Sequence, residues 1–181
     1  EVARQLGRLG VDVIEAGFPI SSKGDFEAVK EIADVVGNMK VGEMEPPAIA
    51  GLARAREGDI QRAADAVMGA KFPRVHTFLA TSNIHMERKL HMTKEQVLEA
   101  AVNAVKFARS LVKDVEFSLE DAGRTDWDFM VEVVDAVIEA GAGTVNLPDT
   151  VGYCQPEQYE AQIRHVFEHC KRANDAVISV H

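Results

Sequence analysis

Cysteine is scarce in this sequence of 181 residues: only Cys154 and Cys170 occur. Their spacing of about sixteen residues matches neither a CxxC metal pattern nor a disulfide framework, so we expect two reduced thiols in a cytosol-like compartment. Glycine and proline are also modest, at 13 and 6 residues, while 46% of the residues are hydrophobic. This composition excludes collagen-like and disordered chains and predicts a single globular domain.

Long apolar runs and an excess of positive charge are absent as well. No run approaches the roughly 20 residues that span a bilayer, and the first residues lack the layout of a signal peptide. The formal net charge is -9. We therefore expect neither a membrane nor a nucleic acid as a partner, since a phosphate backbone attracts basic proteins.

The chain begins without methionine inside a predicted helix, and it stops on His181 at the end of a predicted strand. Elements cut in this way leave backbone groups and apolar faces without partners. We expect residues 1–181 to be the central part of a single catalytic domain that is truncated at both ends.

Short apolar runs alternate with segments of helical periodicity along the chain. The predicted strands are 11–16, 48–52, 74–79, 114–120, 144–147 and 176–181, and the predicted helices are 24–36, 59–68, 93–112, 127–140 and 156–172. For the second strand, 39–41 is an alternative to 48–52, which we prefer because Pro46 and Pro47 precede it. Regular alternation of this kind predicts an α/β fold with a parallel sheet.

Two α/β architectures fit this alternation, the doubly wound sheet and the (β/α)8 TIM barrel. Neither GxGxxG nor GxxxxGK[ST] occurs, although the doubly wound nucleotide binders carry such phosphate loops. Several predicted strands also place polar residues on one face, such as Ser118 and Asn146. A barrel can use such a face near its catalytic end, so we predict a partial barrel.

Polar and ionisable residues near the ends of the predicted strands are the candidates for chemistry. Glu120 could transfer protons, or it could form an ion pair with Arg124 at the rim. His181 is suited to bind a divalent metal, although a strand histidine is more often a hydrogen-bonded structural residue. Thr150 could hold a substrate carboxylate, or it could stabilise a turn together with Asn146.

Five stretches of the sequence resemble the 2-isopropylmalate synthase family. One contains Phe-Ser-Leu-Glu-Asp-Ala-Gly-Arg at 117–124; together the five cover residues 10–19, 74–82, 114–124, 146–152 and 177–181. That family belongs to the metal-dependent acyl-CoA condensing and cleaving barrels, which also include homocitrate and citramalate synthases. The resemblance implies that the six strands are the second to the seventh of a TIM barrel.

The implied activity is a Claisen-type condensation of acetyl-CoA with 2-oxoisovalerate, which gives 2-isopropylmalate and CoA. A divalent metal (Mg, Mn or Zn) polarises the oxo acid in this family, held by an aspartate on the first strand and by a His-x-His pair. His181 matches the first histidine of that pair. The aspartate and the second histidine have no counterpart in this chain, so we expect the isolated chain to be inactive.

The same resemblance concerns six further residues. Glu120 matches the catalytic carboxylate, and Thr150 matches the group that holds the carboxylate of the oxo acid. His76, Ser118 and Asn146 match positions that surround the side chain of the substrate. Glu15 matches an acidic position for which we expect a structural role.

The expected partners are small-molecule substrates, the 2-oxo acid and acetyl-CoA, and a second copy in a homodimer of the complete protein. We expect a cytoplasmic location, or the plastid stroma if a transit peptide precedes the chain. Homocitrate synthase and citramalate synthase are the alternative activities. A non-catalytic barrel fragment that acts as a binding module is the alternative outside enzymes.

Overall fold

Six β-strands form one sheet in the computed structural model, which describes residues 1–181. The strands are β1 (Val13–Gly17), β2 (Ala48–Arg54), β3 (Pro73–Ala80), β4 (Asp114–Glu120), β5 (Thr144–Leu147) and β6 (Val177–Val180). Their order in the sheet is β1-β2-β3-β4-β5-β6. The pairs β1–β2, β4–β5 and β5–β6 are parallel.

The sequential strand order decides between the two predicted architectures. A doubly wound sheet reverses its strand order at a switch point, whereas consecutive strands of a (β/α)8 barrel are always neighbours. Six consecutive strands in sequential order are six of the eight expected for the barrel. The prediction of an α/β fold with a partial TIM barrel is therefore confirmed.

Seven α-helical segments separate or precede the strands. They are α1 (Val2–Leu9), α2 (Lys23–Val35), α3 (Glu57–Val67), the single turn α4 (Asn83–His85), α5 (Lys94–Leu111), α6 (Trp127–Ala140) and α7 (Pro156–His169). A π-helical turn, Met86–Leu90, follows α4. None of the helices is both long enough and apolar enough to cross a membrane.

Side-chain caps explain where several of these helices begin. Helix α5 begins with a capping box: Gln96 N–H donates to Thr93 Oγ1 at 3.3 Å, and Thr93 N–H donates to Gln96 Oε1 at 2.9 Å. Asp126 caps α6 by accepting from Phe129 N–H at 3.0 Å. Such contacts satisfy backbone donors that have no partner in the first turn of a helix.

Most element bounds differ from the predicted ones by one or two residues; the alternative second strand and the end of the last helix differ more. Segment 39–41 is not a strand; Val41 forms only an isolated bridge with Met44, so the preferred strand at residue 48 is confirmed. Helix α7 ends at His169 instead of residue 172. The Asp135 carboxylate draws the chain away from helical geometry, because it accepts from Lys171 N–H at 3.3 Å and from Arg172 N–H at 3.0 Å.

The chain divides into two compact units. Unit 1 consists of residues 1–77 and 107–115, and unit 2 of residues 78–106 and 116–181. Unit 1 has a core of small and branched apolar side chains: Ile14, Val29, Ala33, Val36, Ile49, Ala66, Val67 and Ala70. In unit 2, β4 and β5 bury Phe117, Leu119, Val145 and Leu147, and α6 buries Phe129, Met130, Val133, Val134, Val137 and Ile138. Burial of this apolar surface stabilises both units.

Candidate active site

The polar residues of β4, β5 and β6 form a row across unit 2. Ser118 pairs in register with Asn146, and Asn146 pairs with Ser179. Asn146 Nδ2 donates a hydrogen bond to Ser118 Oγ at 2.9 Å, and both side chains are buried. Neighbouring residues on these strands point to the opposite face because strand side chains alternate. The two predicted pocket residues Ser118 and Asn146 are therefore in direct contact.

The other polar atom of the Asn146 side chain has no partner. Its Oδ1 is buried and accepts no hydrogen bond. An unsatisfied buried acceptor costs free energy, about 1–3 kcal/mol, and such an atom in a native protein calls for an explanation. A bound donor at this position would supply the missing hydrogen bond.

Glu120 ends β4, and its partner is Lys89 from the π-helical turn. Lys89 Nζ donates to Glu120 Oε1 at 2.8 Å and to Oε2 at 3.0 Å. The Glu120 side chain is 22% exposed and the Lys89 side chain 51% exposed. The alternative prediction of an ion pair between Glu120 and Arg124 is wrong, because Arg124 binds the next carboxylate along the chain.

That carboxylate belongs to Asp121, which is completely buried. Arg124 Nε donates to its two oxygens at 2.9 and 3.0 Å. Burial opposes ionisation, but hydrogen bonds from Arg124 and Ser82 outweigh it and lower the pKa of Asp121 below its ordinary value. His85 Nδ1 lies 3.0 Å from Asp121 Oδ2. Asp121 is therefore an ionised group at the centre of a polar cluster.

The backbone at Asp121 is also unusual. Asp121 and His91 are the two non-glycine residues with positive φ, 65° and 53° respectively. The left-handed conformation costs about 1–2 kcal/mol for an ordinary residue, and such strain is concentrated at functional sites. Here the conformation directs Asp121 into the protein immediately after the strand that ends with Glu120.

Thr150 lies in the turn that follows β5 and is exposed. Its Oγ1 accepts a hydrogen bond from Asp121 N–H at 3.0 Å. The turn itself is held by the neighbouring Asp149 carboxylate, which accepts from Tyr153 N–H and Cys154 N–H, both at 2.9 Å, and not by the side chains of Thr150 and Asn146. A hydroxyl can accept and donate at once. The Thr150 hydroxyl can therefore donate to a further acceptor while its oxygen accepts from Asp121 N–H.

His181 follows β6 and is exposed. Its carbonyl oxygen accepts from Asp149 N–H at 2.9 Å, which links the ends of β5 and β6. No group of three or more His, Cys, Asp and Glu side chains in the chain could hold a metal ion. One imidazole binds a divalent ion weakly, so these residues do not form a metal site among themselves.

His76 belongs to unit 1, where its Nδ1 forms a hydrogen bond with Glu15 Oε2. Glu15 lies on β1 and His76 on β3. This contact agrees with the structural role that we expected for Glu15. A carboxylate at Nδ1 fixes the tautomer and the orientation of an imidazole.

Sequence reasoning missed three residues of the polar cluster. No functional role was predicted for His85, yet its side chain is only 23% exposed and contacts the buried Asp121. Neither Lys89 nor Asp121 was among the residues predicted to take part in the chemistry. The Ser-x-x-His spacing of Ser82 and His85 was the available signal, since one turn of helix brings such residues together.

Comparison with known proteins places the chain among enzymes of one superfamily. It is 56% identical over 180 residues to a protein named 2-isopropylmalate synthase from Nitrosospira multiformis, covering 99% of this chain and 34% of that relative. A protein of the same name from Thermosynechococcus vestitus is also 56% identical over 180 residues, covering 99% of this chain and 33% of the relative. The chain thus spans about a third of the length of the curated relatives it matches.

A solved structure supports the fold independently of close sequence similarity. The crystal structure of hydroxymethylglutaryl-CoA lyase from Pseudomonas aeruginosa matches with a TM-score of 0.68 at 20% identity, covering 99% of this chain and 57% of that one. A likeness at this identity shows the fold. The family model described as HMGL-like matches from residue 1 to residue 181, and the chain therefore belongs to the HMGL-like family.

Proposed function

We propose that the complete protein is a 2-isopropylmalate synthase, which catalyses the first committed step of leucine biosynthesis. Acetyl-CoA loses a methyl proton, the resulting enolate attacks the ketone carbon of 2-oxoisovalerate, and water cleaves the thioester to release CoA and 2-isopropylmalate. The observation that carries this proposal is the 56% identity to proteins of that name over 99% of this chain. Glu120, Ser118, Asn146 and Thr150 occupy neighbouring positions at the ends of strands β4 and β5, where barrel enzymes bind their substrates.

Thr150 is proposed to bind the carboxylate of the oxo acid. Its oxygen already accepts from Asp121 N–H at 3.0 Å, so the hydroxyl hydrogen is free to point toward an anion. A hydrogen bond to a charged group contributes about 1.5–3 kcal/mol. The same backbone contact keeps the hydroxyl close to the end of β4, where Glu120 lies.

Ser118 and Asn146 are proposed to surround the substrate side chain and the ketone. Their mutual hydrogen bond of 2.9 Å holds both side chains, and Asn146 Oδ1 remains as an open acceptor. An isopropyl group cannot satisfy that acceptor. We therefore propose that an ordered water or a donor near the reacting carbonyl meets Oδ1, while the isopropyl group lies elsewhere in the pocket.

Glu120 is proposed to act on the reacting atoms as the group that holds or transfers a proton. It is the partly exposed carboxylate at the end of β4, and Lys89 contacts both of its oxygens. A carboxylate held in this way presents a defined lone pair to an incoming proton. When bound, a divalent metal supplies Lewis-acid polarisation of the oxo-acid carbonyl, and His181 is the ligand that this chain would contribute.

Further parts of the proposal concern the complete protein. We expect acetyl-CoA as the co-substrate, Mg, Mn or Zn as the metal, a homodimer as the assembly and the cytoplasm as the location. The reaction and its metal can be tested together by measuring the release of CoA thiol by the complete protein. The assay contains acetyl-CoA, Mg²⁺ or Mn²⁺, and one of three acids: 2-oxoisovalerate, pyruvate or 2-oxoglutarate.

Preference for 2-oxoisovalerate, together with loss of activity on addition of a chelator and recovery on addition of metal, is the expected outcome. Preference for pyruvate would indicate a citramalate synthase instead. Preference for 2-oxoglutarate would indicate a homocitrate synthase. Absence of thiol release with all three acids would contradict a condensing enzyme and favour a non-catalytic module.

A further inference from the structure

The segment 81–90 is attached to the end of β4 by contacts that are spread along the segment. Thr81 N–H donates to the carbonyl oxygen of Glu120 at 3.2 Å. His85 Nδ1 lies 3.0 Å from the carboxylate of Asp121, and Lys89 Nζ lies 2.8 Å from that of Glu120. Two consecutive residues of the strand end therefore bind two side chains of this segment, which are four positions apart.

The proton on the His85 ring can be assigned from its partners. Asp121 binds Arg124 through both oxygens and is ionised, so it can only accept hydrogen bonds. His85 Nδ1 must therefore carry the hydrogen that it shares with this carboxylate. Ser82 Oγ lies 2.8 Å from the same nitrogen and completes the contacts of Nδ1. The atom that fastens the segment is Nδ1, and Nε2 takes no part in this attachment.

The turn between His85 and Lys89 has no other strong attachment through charged groups. Residues Met86–Leu90 form a π-helical turn in which Met86 is buried at 4% exposure, and Met92 N–H donates to Met86 O at 3.1 Å. π-Helical turns are rare and occur frequently at functional sites. His91 then leaves the turn in the left-handed conformation. The position of Lys89 thus depends on where His85 fixes the start of the turn.

We propose that His85 is a positioning residue, which anchors the π-helical turn to Asp121 so that Lys89 holds the carboxylate of Glu120. This inference rests on the proposed function, because the anchor is taken to orient Glu120, the carboxylate proposed to react. His85 acts through Lys89 and does not itself touch the substrate. Loss of the anchor frees Lys89 and leaves Glu120 without a fixed orientation.

Two variants of His85 in the complete protein separate anchoring from direct chemistry. His85→Ala removes Nδ1 and is expected to lower kcat about tenfold, with a smaller change in the KM of the oxo acid. The amide nitrogen of His85→Asn can donate to Asp121 from nearly the same place as Nδ1, so this variant is expected to restore about half of the wild-type kcat. His169→Ala, which removes an exposed histidine of α7, is the matched control and is expected to behave as wild type.

A double-mutant cycle tests whether His85 acts through Lys89. Lys89→Met alone is expected to lower kcat about tenfold, and adding His85→Ala to it should change kcat less than about threefold. Arg88→Met, which removes the same charge from the neighbouring exposed position, is the control. Equal impairment of His85→Asn and His85→Ala, a full additive loss in the double variant, or a wild-type rate for His85→Ala or Lys89→Met would overturn the proposal.

Trypsin cleavage after Arg88 and Lys89 tests the anchor without any substrate. We expect cleavage about fivefold faster in His85→Ala than in wild type, and near the wild-type rate in His85→Asn, since an unfastened turn opens more often. Equal rates in all three proteins would refute the anchor. If the wild-type protein condenses none of the oxo acids, the proposed function fails while the cleavage rates still decide the inference.

Discussion

Lys89 Nζ contacts both carboxylate oxygens of Glu120, at 2.8 and 3.0 Å. The residue that follows Glu120 binds a different cation, Arg124, so two adjacent carboxylates at the end of β4 have separate partners. One carboxylate is buried and structural, whereas the other is partly exposed and paired with the exposed side chain of Lys89. This difference supports the proposal that Glu120 is the carboxylate that meets the substrate.

Replacing Glu120 by Gln in the complete protein should lower the turnover number at least about tenfold, because the amide cannot accept a proton as a carboxylate does. The fold should be unchanged, since the side chain keeps its size and lies at a partly exposed position. Thiol release and far-UV circular dichroism provide the two measurements. Glu99→Gln on the exposed surface of α5 is the control, and wild-type turnover of Glu120→Gln would remove Glu120 from the mechanism.

Thr150→Val should raise the KM of the oxo acid about tenfold or more, because the lost hydroxyl contributes about 1.5–3 kcal/mol to binding a carboxylate. Asp121 N–H also loses its acceptor in this variant. Thr150→Ser keeps the hydroxyl and should bind the oxo acid nearly as wild type. Steady-state kinetics at saturating acetyl-CoA measure the difference, and equal KM values for Val and Ser would show that no carboxylate binds there.

Asp121→Asn should destabilise the protein in a pH-dependent way. The folded state lowers the pKa of Asp121 below 3.8, mainly through Arg124 and Ser82 acting against burial, so its ionisation favours folding above that pH. We expect the variant to lose about 2 kcal/mol of unfolding free energy at pH 7. The difference from wild type should shrink as the pH falls through the lowered pKa. Urea unfolding between pH 7 and pH 3 measures it, and a constant difference would contradict the linkage.

The alternation of side chains along a strand predicted that Ser118 and Asn146 lie on the polar faces of their strands, because a period of two places every second residue on one face. The sequential strand order followed from the regular spacing of helices and strands. Patterns of this kind involve residues that are close in the sequence, so they can be recognised without knowing which distant residues are in contact. Both the fold class and the row of polar residues could therefore be predicted from the sequence.

The partners of the ionisable groups could not be predicted in the same way. Glu120 and Asp121 are four and three residues before Arg124, and the structure pairs Arg124 with Asp121, whose backbone is left-handed. Lys89, which contacts Glu120, lies in a π-helical turn at residues 86–90 that no periodicity in the sequence reveals. Contacts that depend on one backbone angle or on one irregular turn require the structure.

The thiol of Cys170 should be unreactive in the native protein at pH 8. Burial, followed by the hydrogen bond to Asp135, raises its pKa to about 11, and its Sγ lies 3.0 Å from Asp135 Oδ1. Since the thiolate is the nucleophile, alkylation by iodoacetamide should be very slow. Peptide mapping by mass spectrometry measures the modified fraction at Cys170, with urea-unfolded protein as the control. Rapid native labelling would contradict the buried, hydrogen-bonded thiol.

Gly123→Ala should impair both the stability of the protein and the binding of the oxo acid. A Cβ at this position would lie 2.6 Å from Asp149 Oδ1 and 3.0 Å from Cys154 Sγ. Asp149 cannot move freely, because its two oxygens accept from Tyr153 N–H and Cys154 N–H. The added methyl group must therefore displace the turn that carries Thr150.

Because Thr150 is proposed to bind the substrate carboxylate, a displaced turn should raise the KM of the oxo acid. It should also lower the melting temperature of the protein. Overpacking of this kind costs about 1–3 kcal/mol. Gly58→Ala is the matched control, because a Cβ there meets nothing within 4 Å and alanine favours its helix. Thermal melting and steady-state kinetics of the two variants measure both effects. A lower melting temperature of Gly123→Ala with an unchanged KM would separate the turn from the binding of the carboxylate and would count against the role proposed for Thr150.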